Sequence, residues 1–103
     1  MTPLEPTHVL AGAFEGPAGR DTLARCLALA EEVCASLALA EADALALRLA
    51  VDEACTNVME HGYAGEQSGP VALEIWAPRA PAGELRIRIL DRAALFDPGG
   101  AKL

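Results

Sequence analysis

The stretch 43–61, DALALRLAVDEACTNVMEH, decides the architecture of this chain. Wound at 100° per residue, it gathers Leu47, Ala50, Val51, Ala54, Cys55 and Val58 on one stripe, the pattern of a helix with one face in a core. Gly62, just beyond, is a natural stop. Beside the stripe stand Glu53, Asn57 and His61, each four residues after the last and therefore aligned along the helix. Ala46 and Ala50 border this line, and their small side chains leave space for a ligand to approach. Asn57 offers a neutral oxygen suited to a magnesium ion that keeps most of its waters and bridges phosphates. Glu53 can orient or deprotonate a hydroxyl one helical turn away. Boundary residues with local hydrogen bonds would show the same spacing, and spacing alone leaves both readings open.

Upstream, residues from Asp21, a plausible N-cap, to about Leu39 read as a first helix, with Leu23, Leu27, Ala30, Cys34 and Leu37 at helical intervals. Before it, 7–14 (THVLAGAF) reads as a strand weakened by Ala and Gly, and Glu15-Gly16-Pro17 breaks it. Downstream, 62–70 (GYAGEQSGP) is polar and glycine-rich, hence a loop. Two strands follow. In 71–77 (VALEIWA), Val71, Leu73 and Ile75 alternate with Ala72, Glu74 and Trp76. In 84–91 (ELRIRILD), Leu85, Ile87 and Ile89 alternate with Arg86 and Arg88. The short proline-rich link between them suits an antiparallel hairpin. The order β-α-α-β-β predicts an α+β two-layer sandwich, with helices on one face of a mixed or antiparallel sheet. Asp91 shares parity with Leu85, Ile87 and Ile89, so it emerges at the strand's end on the helix-facing side. A carboxylate there either caps the next turn or accepts a hydrogen bond from an exocyclic amine such as that of adenine.

Composition narrows the field. A chain of 103 residues is expected to form one domain over 1–103. Its hydrophobic fraction of 52% is mostly Ala and Leu, with only 4% aromatic residues, which favours helices. A net charge of −7 and a pI near 4.6 supply no footprint for nucleic acid. Cys26, Cys34 and Cys55 are odd in number, lack CxxC spacing and sit in apolar helical runs, the usage of reduced, buried thiols. With no signal pattern and no apolar run long enough for a bilayer, a cytoplasmic protein without membrane contact is expected.

Two motifs together carry a resemblance. The run from Leu49 to Tyr63, LAVDEACTNVMEHGY, resembles the N-box of the histidine-kinase-like ATPases (the Bergerat ATP-binding fold), in the form found in anti-sigma factor serine kinases. The run Ile89-Leu90-Asp91-Arg92-Ala93, leading to Phe96-Asp97-Pro98, is similar to the Asp-x-Gly box that follows in that family. The resemblance covers about Thr7 to Pro98 and implies a set of roles. Glu53 would be the base, Asn57 the magnesium ligand at the ATP phosphates, and Asp91 the acceptor of the adenine amine. His61 belongs to the N-box, and Ala93 occupies the position of the box's glycine. ATP and Mg2+ are the implied cofactors. The implied activity is phosphorylation of a serine or threonine on an antagonist protein, by a homodimer that also sequesters a sigma factor.

Two departures set up the alternative. At position 93 an alanine costs roughly 1–2 kcal/mol if the backbone there must be left-handed, and its methyl would crowd the base. Family members also continue past the position of Leu103, so the domain is expected to lack the ATP lid, the second glycine-rich box, a third helix and the closing strands. A sheet so shortened has an unpaired apolar edge, which predicts self-association. A binding module that no longer holds nucleotide is the competing function. A metal hydrolase using Glu53, Asn57, Glu60 and His61 is a third, weakened by the absence of a partner motif such as HExxH.

Overall fold

The computed structural model describes residues 7–59, 69–80 and 82–91, and these build five elements in the order β-α-α-β-β. They are β1 (His8–Pro17), α1 (Arg20–Ser36), α2 (Glu41–Asn57), β2 (Pro70–Pro78) and β3 (Arg86–Asp91). The strands form one antiparallel sheet in the order β1-β2-β3, with both helices packed on a single face. This is the α+β sandwich that the alternation and helical spacing predict, with an antiparallel sheet.

The strict alternation of β2 and β3 fixes the core face. Val71, Leu73 and Ile75 are fully buried toward the helices, and across the ladder Leu73 pairs with Ile89 and Ile75 with Ile87. The opposite face carries Glu74, Trp76, Arg86 and Arg88. There the Trp76 indole N–H donates to Glu74 at 3.0 Å, and Arg88 reaches the same carboxylate at 3.6 Å. These polar partners leave Trp76 only 6% exposed on the face away from the helices.

β1 runs farther than its sequence suggests. Glu15, Gly16 and Pro17 do not break it but continue the ladder, opposite Ala72, Val71 and Pro70. Pro17 is tolerated because β1 is an edge strand and the proline ends it. A shift in register between Leu10 and Gly12 bends the strand. At its start, His8 Nε2 donates to the Glu84 carbonyl at 2.8 Å, and the Arg79 amide donates to the Thr7 carbonyl at 2.9 Å. β1 is thereby tied to the β2–β3 hairpin.

Helix α1 also departs from expectation. Its N-cap is Gly19, at φ 151°, and Asp21 sits inside the first turn, where its charge complements the helix dipole. The buried positions are Thr22, Cys26, Ala30, Val33 and Cys34, whereas Leu23 and Leu27 are half-buried and Leu37 lies outside the helix. The true stripe is rotated from the leucine-based one because Ala and Leu surround this helix, and close packing selected the smaller residues. Helix α2 buries Leu47, Val51 and Cys55 as its spacing predicts and Ala44 in addition, but Ala54 is half-buried and Ala50 is exposed.

Candidate functional site

Chain direction, read from packed pairs, decides where the candidate residues gather. A Cβ built on Gly12 would meet Leu29 and Val33, and one on Gly16 would meet Thr22, so α1 runs antiparallel to β1. Between the helices, Glu31 pairs with Arg48, and the Cys34 thiol faces the Ala44 carbonyl at 3.8 Å, so α2 reverses again. Two antiparallel ladders make β3 parallel to β1. Helix α2 and strand β3 therefore advance together, and the Glu53–Asn57 end of the helix lies toward the Asp91 end of the strand.

At that end, Asp91 stands in register with Val71, and the Ala18 amide donates to the Gly69 carbonyl at 2.8 Å where β1 leaves the sheet and β2 enters it. Glu53 and Asn57 are both exposed, and Asn57 is the last residue of α2. Beyond it the backbone stays helical at Val58, whose amide is directed at the carbonyls of Ala54 and Cys55. Thr56 Oγ1 donates to Asp52 at 3.2 Å, which occupies that neighbouring carboxylate locally. Glu53 makes no such bond among the described residues. His61 and Ala93 lie outside the described residues, as do Glu60 and the Phe96-Asp97-Pro98 run.

A concavity lies elsewhere on the same helix face. A groove of about 590 Å³ opens between the first half of α2 and the hairpin end of β2 and β3, lined by Asp43, Ala46, Ala50, Pro78, Glu84 and Ile87 among others. Wound at 100° per residue, Ala46, Ala50, Glu53 and Asn57 share one face, so the groove's alanine wall continues into the Glu53–Asn57 line. Along the axis Glu53 lies about 4.5 Å beyond Ala50, and Asn57 about 10 Å beyond it. The sequence marked Ala46 and Ala50 as room for a ligand. It gave no sign that Asp43 and Glu84 would supply the charge at the groove, because that depends on how the hairpin folds back over the helix.

An exposed amide and carboxylate one turn apart can hold a hydrated magnesium on outer waters and orient a hydroxyl beside it. They cannot by themselves enclose a metal. Among the described residues no group of three or more His, Cys, Asp or Glu side chains gathers to do so. Nor, among the same residues, is any helix long and apolar enough to cross a membrane.

A family model described as histidine kinase-like ATPase domain matches residues 16–103. No curated protein and no solved structure matches the chain. The family match takes in both helices, β2, β3 and the two motif regions, and the chain belongs to the histidine kinase-like ATPase domain family.

Proposed function

We propose that this ATPase-family domain is an ATP- and magnesium-dependent serine/threonine protein kinase of the anti-sigma factor type, acting on an antagonist protein. The observation that carries the reading is the shared direction of α2 and β3, which sets Glu53, Asn57 and the Asp91 position toward one end of the molecule. In this reading Asn57 would hold the magnesium that accompanies ATP. Asp91 would accept the adenine amine, and Ala93 and His61 belong to the same reading by their positions in the two motifs. Glu53, solvent-facing and unengaged, takes the proton of the attacking hydroxyl. When bound, magnesium supplies charge neutralisation at the transferred phosphoryl group; the residues named here position the nucleotide and the acceptor. A sigma factor or its antagonist is the proposed protein partner, and the cytoplasm the proposed compartment.

The groove favours a second reading. Its lining is mainly apolar, and its charged members, Asp43 and Glu84, are both carboxylates, a poor surface for a triphosphate. With Ala93 in the place of the family's glycine, a non-catalytic module that binds protein alone is the alternative.

Calorimetric titration of magnesium-ATP into the chain separates the two. The kinase reading expects saturable binding that Asn57→Ala weakens about tenfold or more. It also expects Glu53→Ala to retain nucleotide while losing phosphate transfer to a serine-bearing antagonist. A parent chain that takes up no nucleotide would eliminate the kinase in favour of the binding module.

A further inference from the structure

The outer face of α2 carries an arrangement that shares only Glu53 with the proposed nucleotide site. Glu41, Leu45, Leu49 and Glu53 follow one another at four-residue intervals, and all four are exposed. Leu45 is 52% and Leu49 58% exposed, the two most exposed large hydrophobic residues among those described. A helix of 17 residues with a well-formed core stripe has no folding reason to place two leucines on its solvent side. On the adjoining α1, Glu31 and Glu32 are exposed between Ala28 and Ala35, so the helical layer beside the leucines adds negative charge.

The charges around this ridge are mostly acidic, the exception being Arg48, which is paired with Glu31. Glu41 and Glu53 close its two ends, and Asp52 lies next to Leu49. Of the three arginines of the helical layer, Arg20 opens α1 and the other two have partners. Arg48 is paired with Glu31, and Arg25 lies 4.8 Å from the centroid of the Phe14 ring. A second copy of the chain is therefore a poor occupant, since antiparallel docking of two ridges would set Glu41 against Glu53.

We propose that the Glu41–Leu45–Leu49–Glu53 ridge is a docking surface for a basic amphipathic helix of another protein, its apolar face on the two leucines and its lysines or arginines on the two glutamates. The glutamates are separated by about 18 Å along the axis, which is the spacing required of the partner's cations. The apolar contact supplies the affinity, and the flanking charges set register and exclude acidic helices. Glu53 is common to this ridge and to the proposed nucleotide site, whereas Glu41, Leu45 and Leu49 belong to the ridge alone.

The test uses the whole chain and two fluorescein-labelled helical peptides of ~18 residues with identical leucine faces, one flanked by lysines and the other by glutamates. Fluorescence anisotropy should show saturable binding of the lysine peptide alone. That binding should weaken about tenfold or more in both Leu45→Asp and Leu49→Asp, with circular dichroism unchanged, and should fall as salt rises. Chemical-shift changes should centre on 41–53. Equal binding of the two peptides, or binding indifferent to both substitutions, would overturn the proposal, as would no binding of the lysine peptide. A drop in oligomeric mass on Leu49→Asp would overturn it too, by assigning the ridge to a second copy.

Discussion

At the scale of single residues, the thiols of Cys26 and Cys55 show how burial sets chemistry. Both are 0% exposed and lie in the core between α1 and α2. The hydrogen bond to Cys26, and then burial, push the Cys55 thiol far above its ordinary range, while the same bond lowers Cys26, so the pair as a whole holds one proton against release. The neutral form of Cys55 is therefore favoured in the folded chain, and the sign of the stability effect follows. Below the unfolded thiol pKa of about 8.5 both states keep the proton and this contribution is fully present. As the pH rises past that value the unfolded chain releases a proton that the folded chain retains, so stability falls. Urea denaturation at a series of pH values should show a midpoint that declines above about pH 8.5, and Cys55→Ala should flatten that decline while lowering the midpoint at neutral pH. A decline of the same slope in Cys55→Ala would mean that other groups cause it.

Among the elements, β1 depends most on a close approach. Gly12 stands opposite Ile75 beside the register shift, and a Cβ there would come within 2.9 Å of Leu29 and 3.1 Å of Val33. A β-branched residue would drive these side chains off their rotamers, and Gly12→Val should cost about 1–3 kcal/mol by overpacking. Urea melts measure the loss, and the truncation Leu29→Ala in the same chain should recover part of it. Such an approach has no period, which is why β1 was the least legible strand; its Ala and Gly content marks weakness where the structure has contact with α1. β2 and β3 were legible because Val71, Leu73 and Ile75, then Ile87 and Ile89, alternate without exception. In α1, leucines on several sides concealed the phase, and the core chose Cys26, Ala30 and Val33. The alignment of Glu53 with Asn57 and the parity of Asp91 could be read from spacing alone. Their gathering at one end could not, because it depends on the reversals from β1 through α1 to α2.

For the whole molecule, edges and charge oppose each other. Among the described residues the sheet has three strands, so β1 and β3 each present one unpaired side, and β3 is backed by Ile87 at the groove and by Ile89 in the core. Strand pairing between copies would satisfy those backbone groups, and a homodimer is the outcome that the edge geometry favours. A net charge of −7 works against it, concentrated on the helical side by Glu32, Glu41, Asp52 and Glu53. The outer sheet face, where Arg86 and Arg88 stand beside Glu74, is closer to balance. Edge-to-edge pairing keeps the acidic helices of two copies apart, whereas helix-to-helix packing would bring them together. Light scattering should therefore give a dimer mass that strengthens as salt screens the repulsion. Lysine placed at Arg88's neighbour Ile87 would disturb the core, so the informative variant is Leu90→Pro, which removes a strand amide within β3. A dimer through β3 should dissociate on that change, and one through β1 should persist. A single monomeric mass at every salt concentration would show that neither edge recruits a second copy.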